Sequence, residues 1–365
     1  MIKALVGFLA LAVLLVLFVL PAFSGTLLAA DLMPQWLAES MGLLATLQTW
    51  VMRLFVIVWV FFVGSCFASF LNVVAWRVPR GRGINGSSHC PHCDVRLSMK
   101  DNMPVLGWLR NRGRCRTCKT PITIRYLIVE IALGLLTLGL VSLEVFWGGV
   151  NLPVGIGQDF RFALLDNLVG NPKYDLIGIV GFHLVLVFGL FTASVVRSEG
   201  LAVPVVIVGV VVAIGVAYAA VWPRAIVLDC FGGTSELSRF SLTWWLTLMI
   251  GAIAGSVAGF ALDRMVWFNG QYKSVEEIDT QACSPDAMAA ASKVWTVADG
   301  VAAMPLVGLF LGWQALASVI VLLVLMLPVR RLIRCRACVA LQTQVFLATV
   351  VHLSCWRILT WVGWF

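Results

Sequence analysis

The sequence predicts an all-α polytopic membrane protein of about eight or nine transmembrane helices with a small cytoplasmic zinc-ribbon-like subdomain. Composition, long apolar stretches and four paired cysteines support this fold class. Of the 365 residues, 61% are hydrophobic and 12% are charged, whereas soluble domains have about 45–50% and about 25%. The 15 Trp and 21 Phe suit bilayer interfaces, where aromatic residues are enriched. An ordinary soluble protein is therefore excluded.

Apolar stretches long enough to cross a bilayer, which takes about 20 residues, recur along the chain. The first follows Lys3, as in a secretory signal, but its apolar core is longer than the 7–15 residues typical of signals. We therefore interpret it as a retained span. The eight candidate spans are Ala4 to Leu28, Val51 to Trp76, Leu127 to Trp147, Leu176 to Val196, Val203 to Trp222, Leu242 to Phe268, Val301 to Leu327 and Val345 to Phe365.

Basic residues concentrate between Trp76 and Tyr126. This segment holds eleven basic and two acidic residues, although the net charge of the whole chain is only +8. A basic patch on a soluble protein would suggest nucleic acid. Between two spans, the positive-inside rule instead predicts a cytoplasmic loop and no nucleic-acid partner.

The basic stretch from Arg330 to Arg336 bears on the number of crossings. A single span at 301–327 would place it outside, against the positive-inside rule. A hairpin of two short passes, turning near Gly308 to Gly312, returns it to the cytoplasm and predicts nine crossings. The predicted parts are residues 1–50 (an extra N-terminal span and external loop), 51–76 (a span), 77–125 (the cysteine-bearing subdomain) and 126–365 (the membrane helical domain).

Two CxxC motifs in the basic loop predict a metal site. Cys90 and Cys93 form the first pair, Cys115 and Cys118 form the second, and 21 residues separate the pairs. This spacing is typical of a tetrahedral four-cysteine zinc site, and a reducing cytoplasm favours metal over disulfides. Such a site leaves no open position for a substrate, so the zinc would be structural. Unmetallated or redox-active thiols are the alternative.

The remaining ionisable and thiol residues give weaker signals. Cys335 and Cys338 form a lone CxxC motif, which we interpret as a pair of reduced thiols without a function; half of a second metal site and palmitoylation are the alternatives. His183 and His352 lie in predicted spans, where an ionisable residue suggests function. Neither has an obvious acidic partner in the sequence, and we expect neutral, hydrogen-bonded packing histidines.

Several motifs around the cysteines resemble the type IV prepilin leader peptidases in order and spacing. They are residues 64–81 (GSCFASFLNVVAWRVPRG), 88–93 (SHCPHC), 101–109 (DNMPVLGWL), 112–118 (RGRCRTC) and 124–130 (IRYLIVE). A looser likeness continues at 308–316 (GLFLGWQAL).

The resemblance implies a membrane-embedded aspartic endopeptidase that cuts the leader from pilin or pseudopilin precursors after a glycine. Many members of the family then methylate the new N-terminus with S-adenosylmethionine. The implied location is the cytoplasmic membrane, with the zinc loop on the cytoplasmic side. The implied partners are those precursors, membrane lipid and pilus or secretion assembly proteins.

The family's two catalytic aspartates do not fall on aspartates here. Counting back from Pro204 by the family spacing leads to Arg197, two residues from Glu199; counting back from Gly308 leads to Gly300, beside Asp299. Asp299 and Glu199 are therefore the candidate catalytic residues. A third carboxylate, Asp263, stands beside Arg264, and we expect a local ion pair between them.

Two functions from different classes follow. One is a leader peptidase that uses displaced carboxyl groups, with or without methyl transfer. The other is a catalytically inactive relative that uses the zinc loop and the membrane scaffold to bind pilin-like segments or assembly proteins. A membrane redox protein built on the two CxxC motifs fits less well, because the flanking motifs match the peptidases.

Overall fold

The structure, a computed structural model, describes residues 35–90, 92–153, 168, 172–199, 201–227, 242–268, 296–297, 299–332 and 341–361. This part of the chain is mainly helical, as the sequence predicts, and its longest non-helical stretch lies between Gly81 and Thr123. The elements are α1 (Gln35–Arg77), α2 (Leu106–Arg110), α3 (Ile124–Val141), α4 (Tyr174–Ser198), β1 (Val203–Pro204), α5 (Val205–Val221), α6 (Leu242–Phe268), β2 (Thr296–Val297), α7 (Asp299–Leu332) and α8 (Leu341–Trp361).

Five helical segments among the described residues are long and apolar enough to cross a membrane: Leu47–Arg80, Ile124–Phe146, Tyr174–Ser198, Leu242–Arg264 and Gly300–Leu325. Each coincides with a predicted span. The shorter apolar helix α5 and the helix α8 also match predicted spans. The predicted span at 4–28 lies outside the described residues, so the total number of crossings stays a prediction.

One boundary differs from the prediction. Residues 35–50, expected to form an external loop, continue α1 toward the N-terminus. This stretch contains no proline and one glycine, and its Ala, Leu, Met, Gln and Glu residues favour helix. The helix therefore extends well beyond the apolar part that defined the predicted span.

The described chain divides into two compact units. The first contains the chain up to Phe70 and Gly86–Leu138, and the second contains Leu71–Asn85 and Gly139–Phe365. The four paired cysteines belong to the first unit, in Gly86–Leu138. In the second unit, α4 packs against α5, α7 and α8, and α6 packs along α7.

Glycines allow α6 and α7 to approach backbone to backbone. A Cβ atom on Gly251 would overlap the carbonyl oxygen of Gly308, and one on Gly259 would overlap that of Gly300. Small residues four positions apart let membrane helices come this close, so that dispersion contacts stabilise the pair. The order of these contacts makes the two helices antiparallel.

The long helix α7 is interrupted at Gly312, whose φ of 83° and ψ of 170° are not helical. Before the break, Phe310 stacks on Phe182 of α4. After the break, Ser318 hydrogen-bonds His352 of α8, a helix that packs against α7. Gly312 lies at the end of the range where the sequence predicts a hairpin. Labelling of Cys335, outside the described residues, from each side of the membrane would test whether the basic stretch is cytoplasmic.

A buried polar cluster lies inside the second unit. The Nδ1 atom of His183 is 2.8 Å from Glu144 Oε1, and both side chains are fully buried. Asn151 donates to the same oxygen (3.2 Å) and to the carbonyl of Leu353 (2.8 Å). His183 is buried and hydrogen-bonded, as predicted, and it has an acidic partner that was not obvious in the sequence because Glu144 lies 39 positions away. His352 is a packing histidine, as predicted, with its Nδ1 atom 2.7 Å from Ser318 Oγ.

Candidate metal centre and carboxylate site

Each CxxC motif forms the same tight turn. In the first, Asp94 N–H donates to the Cys90 carbonyl (2.9 Å), and in the second, Lys119 N–H donates to the Cys115 carbonyl (3.1 Å). Asp94 and Lys119, which directly follow the second cysteine of each pair, both have positive φ, 52° and 60°. The repeated conformation directs both sulfurs of each pair to one side.

The four sulfurs converge as the sequence predicts. They all lie within 4.8 Å of one another, with Cys90 Sγ 3.8 Å from Cys118 Sγ and Cys93 Sγ 4.0 Å from Cys115 Sγ. Thiolates about 2.3 Å from a tetrahedral zinc ion are about 3.8 Å apart. The donor set and its spacing therefore fit Zn²⁺, with no fifth ligand required.

The electrostatics of the cluster favour a bound cation. The Thr120 hydroxyl and N–H lower the pKa of Cys118 to about 6, and the N–H groups of His92 and Cys93 lower the pKa of Cys90. The Val95 N–H favours the Cys93 thiolate, but loss of solvent and the three neighbouring sulfurs raise the pKa of that thiol to about 11. A zinc ion would offset this crowding of sulfur charge.

Asp101 organises the chain between the two turns. Its carboxylate accepts hydrogen bonds from the Ser98 hydroxyl (2.5 Å) and the Asn111 amide (3.1 Å), and it pairs with Arg110 at 3.2 Å. The Ser98 hydroxyl, helped by Asn111 and the Arg116 guanidinium, lowers the pKa of Asp101 to about 2. This carboxylate therefore holds the loop together as an anion.

Glu130 contacts the same loop from α3, a contact that the sequence did not reveal. Its Oε2 atom accepts a hydrogen bond from Val105 N–H (2.8 Å), while Leu106 N–H donates to the Pro104 carbonyl (2.6 Å) around Val105. Val105 has a φ of 60°, which is strained for a β-branched residue. In the sequence, this contact was indicated only by the acidic character of Glu130, since an ionisable residue inside a predicted span suggests a function.

A two-stranded antiparallel ribbon joins the two segments that carry the predicted catalytic residues. Val203 pairs with Val297, and Pro204 pairs with Thr296. Glu199 caps the C-terminus of α4 four residues before β1, and Asp299 begins α7 two residues after β2. Because the strands are antiparallel, both residues lie toward the same end of the ribbon. The side chain of Asp299 lies outside the described part of the chain, so its role stays a prediction.

Glu199 forms an ion pair with Arg80, whose Nη2 atom is 3.7 Å from Glu199 Oε2. This distance is longer than a hydrogen bond, and both side chains keep some exposure, 16% for Arg80 and 21% for Glu199. The Arg80 guanidinium also lies 5.0 Å from the ring centre of Trp76. Glu199 is therefore reachable from solvent beside a cation, a partner that its position in sequence did not reveal.

Asp263 does not form the expected ion pair with Arg264. Its Oδ1 atom accepts a hydrogen bond from Gly300 N–H (2.8 Å) and its Oδ2 atom accepts one from Val301 N–H (3.1 Å). Arg264 instead lies over the ring of Phe260. The free N–H groups of a helix N-terminus bind a carboxylate strongly, which explains why Asp263 contacts the start of α7 and not Arg264. A third carboxylate thus stands at the start of α7.

Comparison with known proteins identifies the first of these regions. The family model of the Bacterial Peptidase A24 N-terminal domain matches residues 62–143, which include the metal centre and Glu130. No solved structure matches the chain.

Several curated relatives are prepilin-processing enzymes. The Prepilin leader peptidase/N-methyltransferase of Myxococcus xanthus (strain DK1622) is 48% identical over 165 residues, which cover 35% of this chain and 49% of the relative. The Type 4 prepilin-like proteins leader peptide-processing enzyme of Escherichia coli O78:H11 is 38% identical over 105 residues, 23% of this chain and 39% of the relative. The Prepilin leader peptidase/N-methyltransferase of Neisseria gonorrhoeae is 32% identical over 114 residues, which cover 24% of this chain and 40% of the relative.

The matches cover at most about half the length of these relatives. All three names describe enzymes, and none describes the inactive scaffold that the sequence left as the alternative. The resemblance that the motifs indicate is thus supported: residues 62–143 match the Bacterial Peptidase A24 N-terminal domain, and the chain is similar to prepilin leader peptidases over part of its length.

Proposed function

We propose that this chain is a prepilin-peptidase-like membrane aspartic endopeptidase that removes leader peptides from type IV pilin-like precursors. The observation that carries the proposal is the match of residues 62–143 to a peptidase domain, together with the 48% identity to the Myxococcus xanthus enzyme. Candidate carboxyl groups at one end of the short ribbon support it further.

The reaction needs two carboxyl groups with different protonation states. One, ionised, removes a proton from the attacking water, and the other, protonated, donates to the scissile carbonyl. Asp299 and Glu199 are the pair that the sequence assigns to these roles. Their segments meet at β1 and β2, and the partial exposure of Glu199 gives water access to its carboxyl group.

The zinc centre would have a structural role. The ion would be held by Cys90, Cys93, Cys115 and Cys118. It would cross-link the loop and take no part in the reaction. We propose that this loop faces the cytoplasm, where its basic residues favour the negative surface of the inner leaflet.

Methyl transfer with S-adenosylmethionine is a separate proposal. It rests on the printed names of the relatives, which include N-methyltransferase. The contacts of the described residues do not identify a site for this cofactor, so no step is assigned to it. Incubation of the cleaved product with methyl-labelled S-adenosylmethionine would show label on the new N-terminal amine if the activity is retained.

Co-expression tests the peptidase proposal in cells. A pilin-type precursor is expressed in a host without its own leader peptidase, together with this chain or with an empty vector. We expect a shorter pilin only with the chain. As a matched control, a precursor with a bulky residue in place of the glycine before the cut should stay full length.

A further inference from the structure

The contacts of Asp263 extend the proposed function to a residue of the same site, and the inference depends on that function. We propose that Asp263 on α6, rather than Asp299, supplies the second catalytic carboxylate of the peptidase. It would act from the place where the resemblance implies an aspartate at position 300.

Position 300 cannot carry a side chain in this fold. A Cβ atom on Gly300 would overlap the backbone carbonyl oxygen of Gly259 and lie 3.1 Å from the carboxyl carbon of Asp263. The carboxyl group of Asp263 therefore occupies the space beside the Gly300 backbone into which an aspartate at 300 would extend. On this proposal, α6 supplies beside the Gly300 backbone the carboxylate that the resemblance implies at position 300.

The bonding of Asp263 leaves it able to act on water. Both of its oxygens accept backbone N–H bonds from the first residues of α7. Each carboxylate oxygen can accept a second hydrogen bond, and within the described part of the chain no other donor to these oxygens is found. The side chain is partly exposed. A water molecule can therefore reach a carboxylate whose position is fixed by two hydrogen bonds.

The same contacts fix Asp263 beside the start of α7, the helix that begins with Asp299. Gly300 directly follows Asp299, and β2, which ends at Val297, pairs with β1, just after Glu199. Asp263 is thus fixed at the start of α7, at the end of the ribbon where the chain approaches Glu199. Glu199 remains the candidate for the first carboxyl group.

The proposed step is the hydrolysis of one peptide bond. The Asp263 carboxylate takes a proton from water as the water oxygen bonds to the scissile carbonyl carbon. Glu199, which must leave its ion pair with Arg80 and take up a proton before the step, donates to the carbonyl oxygen. When the C–N bond breaks, the leaving nitrogen takes the proton held by Asp263 and the carbonyl oxygen returns its proton to Glu199. One water is consumed, a carboxylic acid and an amine are released, and both carboxyl groups regain their starting states.

The test compares Asp263→Asn, Asp299→Asn and the control Asp175→Asn in the full-length, zinc-loaded protein. Asn caps helices about as well as Asp, so Asp263→Asn keeps an acceptor for Gly300 N–H but removes the ionisable group. Asp175 pairs with Arg224 at 3.0 Å, and both side chains are more than half exposed. Cleavage of a pilin-type precursor and the thermal unfolding midpoint are measured for each variant.

We expect Asp263→Asn to lower kcat by about 10²–10⁴-fold, the usual contribution of general acid–base catalysis, in a protein that still folds. Its unfolding midpoint should fall somewhat, because the amide oxygen can accept from only one of the two N–H groups. Asp175→Asn should cleave at nearly the parent rate, and Asp299→Asn should lose far less activity than Asp263→Asn. Full activity of Asp263→Asn, or loss confined to Asp299→Asn, would overturn the inference and leave the peptidase function standing. A parent protein that cleaves no precursor would instead remove the proposed function itself.

A second variant decides the matter if Asp263→Asn does not fold. Asp263→Glu keeps a carboxylate with a different intrinsic pKa and reach. If residue 263 is the base, the acid limb of the kcat profile against pH should shift in this variant. An active Glu variant with the parent's pH profile would assign Asp263 to helix capping alone and overturn the inference.

Discussion

The Oδ1 atom of Asp263, near the end of α6, lies 2.8 Å from the backbone nitrogen of Gly300, 37 positions later at the start of α7. The bond forms because α6 and α7 touch through glycines, which leave no side chain between the carboxylate and the helix end. Packing and the candidate catalytic site therefore depend on the same close approach of the two helices.

Substitution of Gly300 should disturb both the packing of α6 on α7 and the candidate catalytic site. In Gly300→Ala, the new Cβ atom would overlap the Gly259 carbonyl, and overpacking of this kind costs about 1–3 kcal/mol. We expect a lower thermal unfolding midpoint and reduced cleavage. Gly209→Ala is the matched control, since a Cβ atom there has nothing within 4 Å and alanine favours helix. A Gly300→Ala variant as stable as Gly209→Ala would show that the helices are not in contact here.

Removal of one zinc ligand should release the metal. Cys90→Ser or Cys115→Ser breaks the set of four sulfurs, and three ligands bind zinc far more weakly than four. We expect metal analysis to find about one zinc per parent chain and far less in either variant, with membrane insertion unchanged. Cys66→Ser, a buried cysteine outside the cluster, should keep its zinc. A parent protein without zinc, whose four thiols alkylate freely in the folded state, would contradict the metal centre.

The buried pair of Glu144 and His183 should contribute strongly to stability. Glu144→Ala leaves the His183 ring and the Asn151 amide without their shared acceptor, and breaking a buried pair in this way costs about 3–5 kcal/mol. Glu144→Gln keeps an oxygen and should cost less. The exposed pair of Asp175 and Arg224 serves as the comparison, because such pairs contribute about 0–1 kcal/mol. Equal unfolding midpoints for Glu144→Ala and Asp175→Asn would rule out a stabilising role.

The stability of the zinc loop should depend on pH through Asp101. Its pKa is lowered from 3.8 to about 2 in the folded protein, so its contribution is present above about pH 4 and is lost as the pH falls toward 2. Pepsin is active in this range, and Leu106 and Leu109 are exposed near the carboxylate. At pH 4 we expect pepsin to cut the loop of Asp101→Asn faster than that of the parent, whereas at pH 2 the two rates should converge. If the ratio of the two cleavage rates were the same at pH 4 and pH 2, Asp101 would not stabilise the loop as an anion.

The features that the sequence predicted correctly depend on local patterns. The apolar spans follow from the length of chain needed to cross a bilayer, and the convergence of Cys90, Cys93, Cys115 and Cys118 follows from two turns of fixed spacing. The helix is interrupted at Gly312, at the end of the range where the charge pattern predicts a turn, and the cytoplasmic location of the basic stretch that follows stays a prediction.

Contacts between distant parts of the chain could not be predicted in this way. Asp263 was expected to pair with its neighbour Arg264, but the N–H groups of Gly300 and Val301 satisfy both of its oxygens. The pair of Glu144 and His183 was missed for the same reason. In each case the partner is set by which helices pack together, and a single sequence does not give that packing.

Mass spectrometry of a pilin-type precursor incubated with the purified protein in lipid vesicles tests the peptidase account most directly. The account predicts a free leader and a mature pilin whose masses place the cut after the glycine, with the rate lowered about 10²–10⁴-fold by Asp263→Asn. Several precursors that an authentic leader peptidase cuts, all left intact by this protein although they bind it, would contradict the account. The chain would then be a scaffold that binds pilin-like segments.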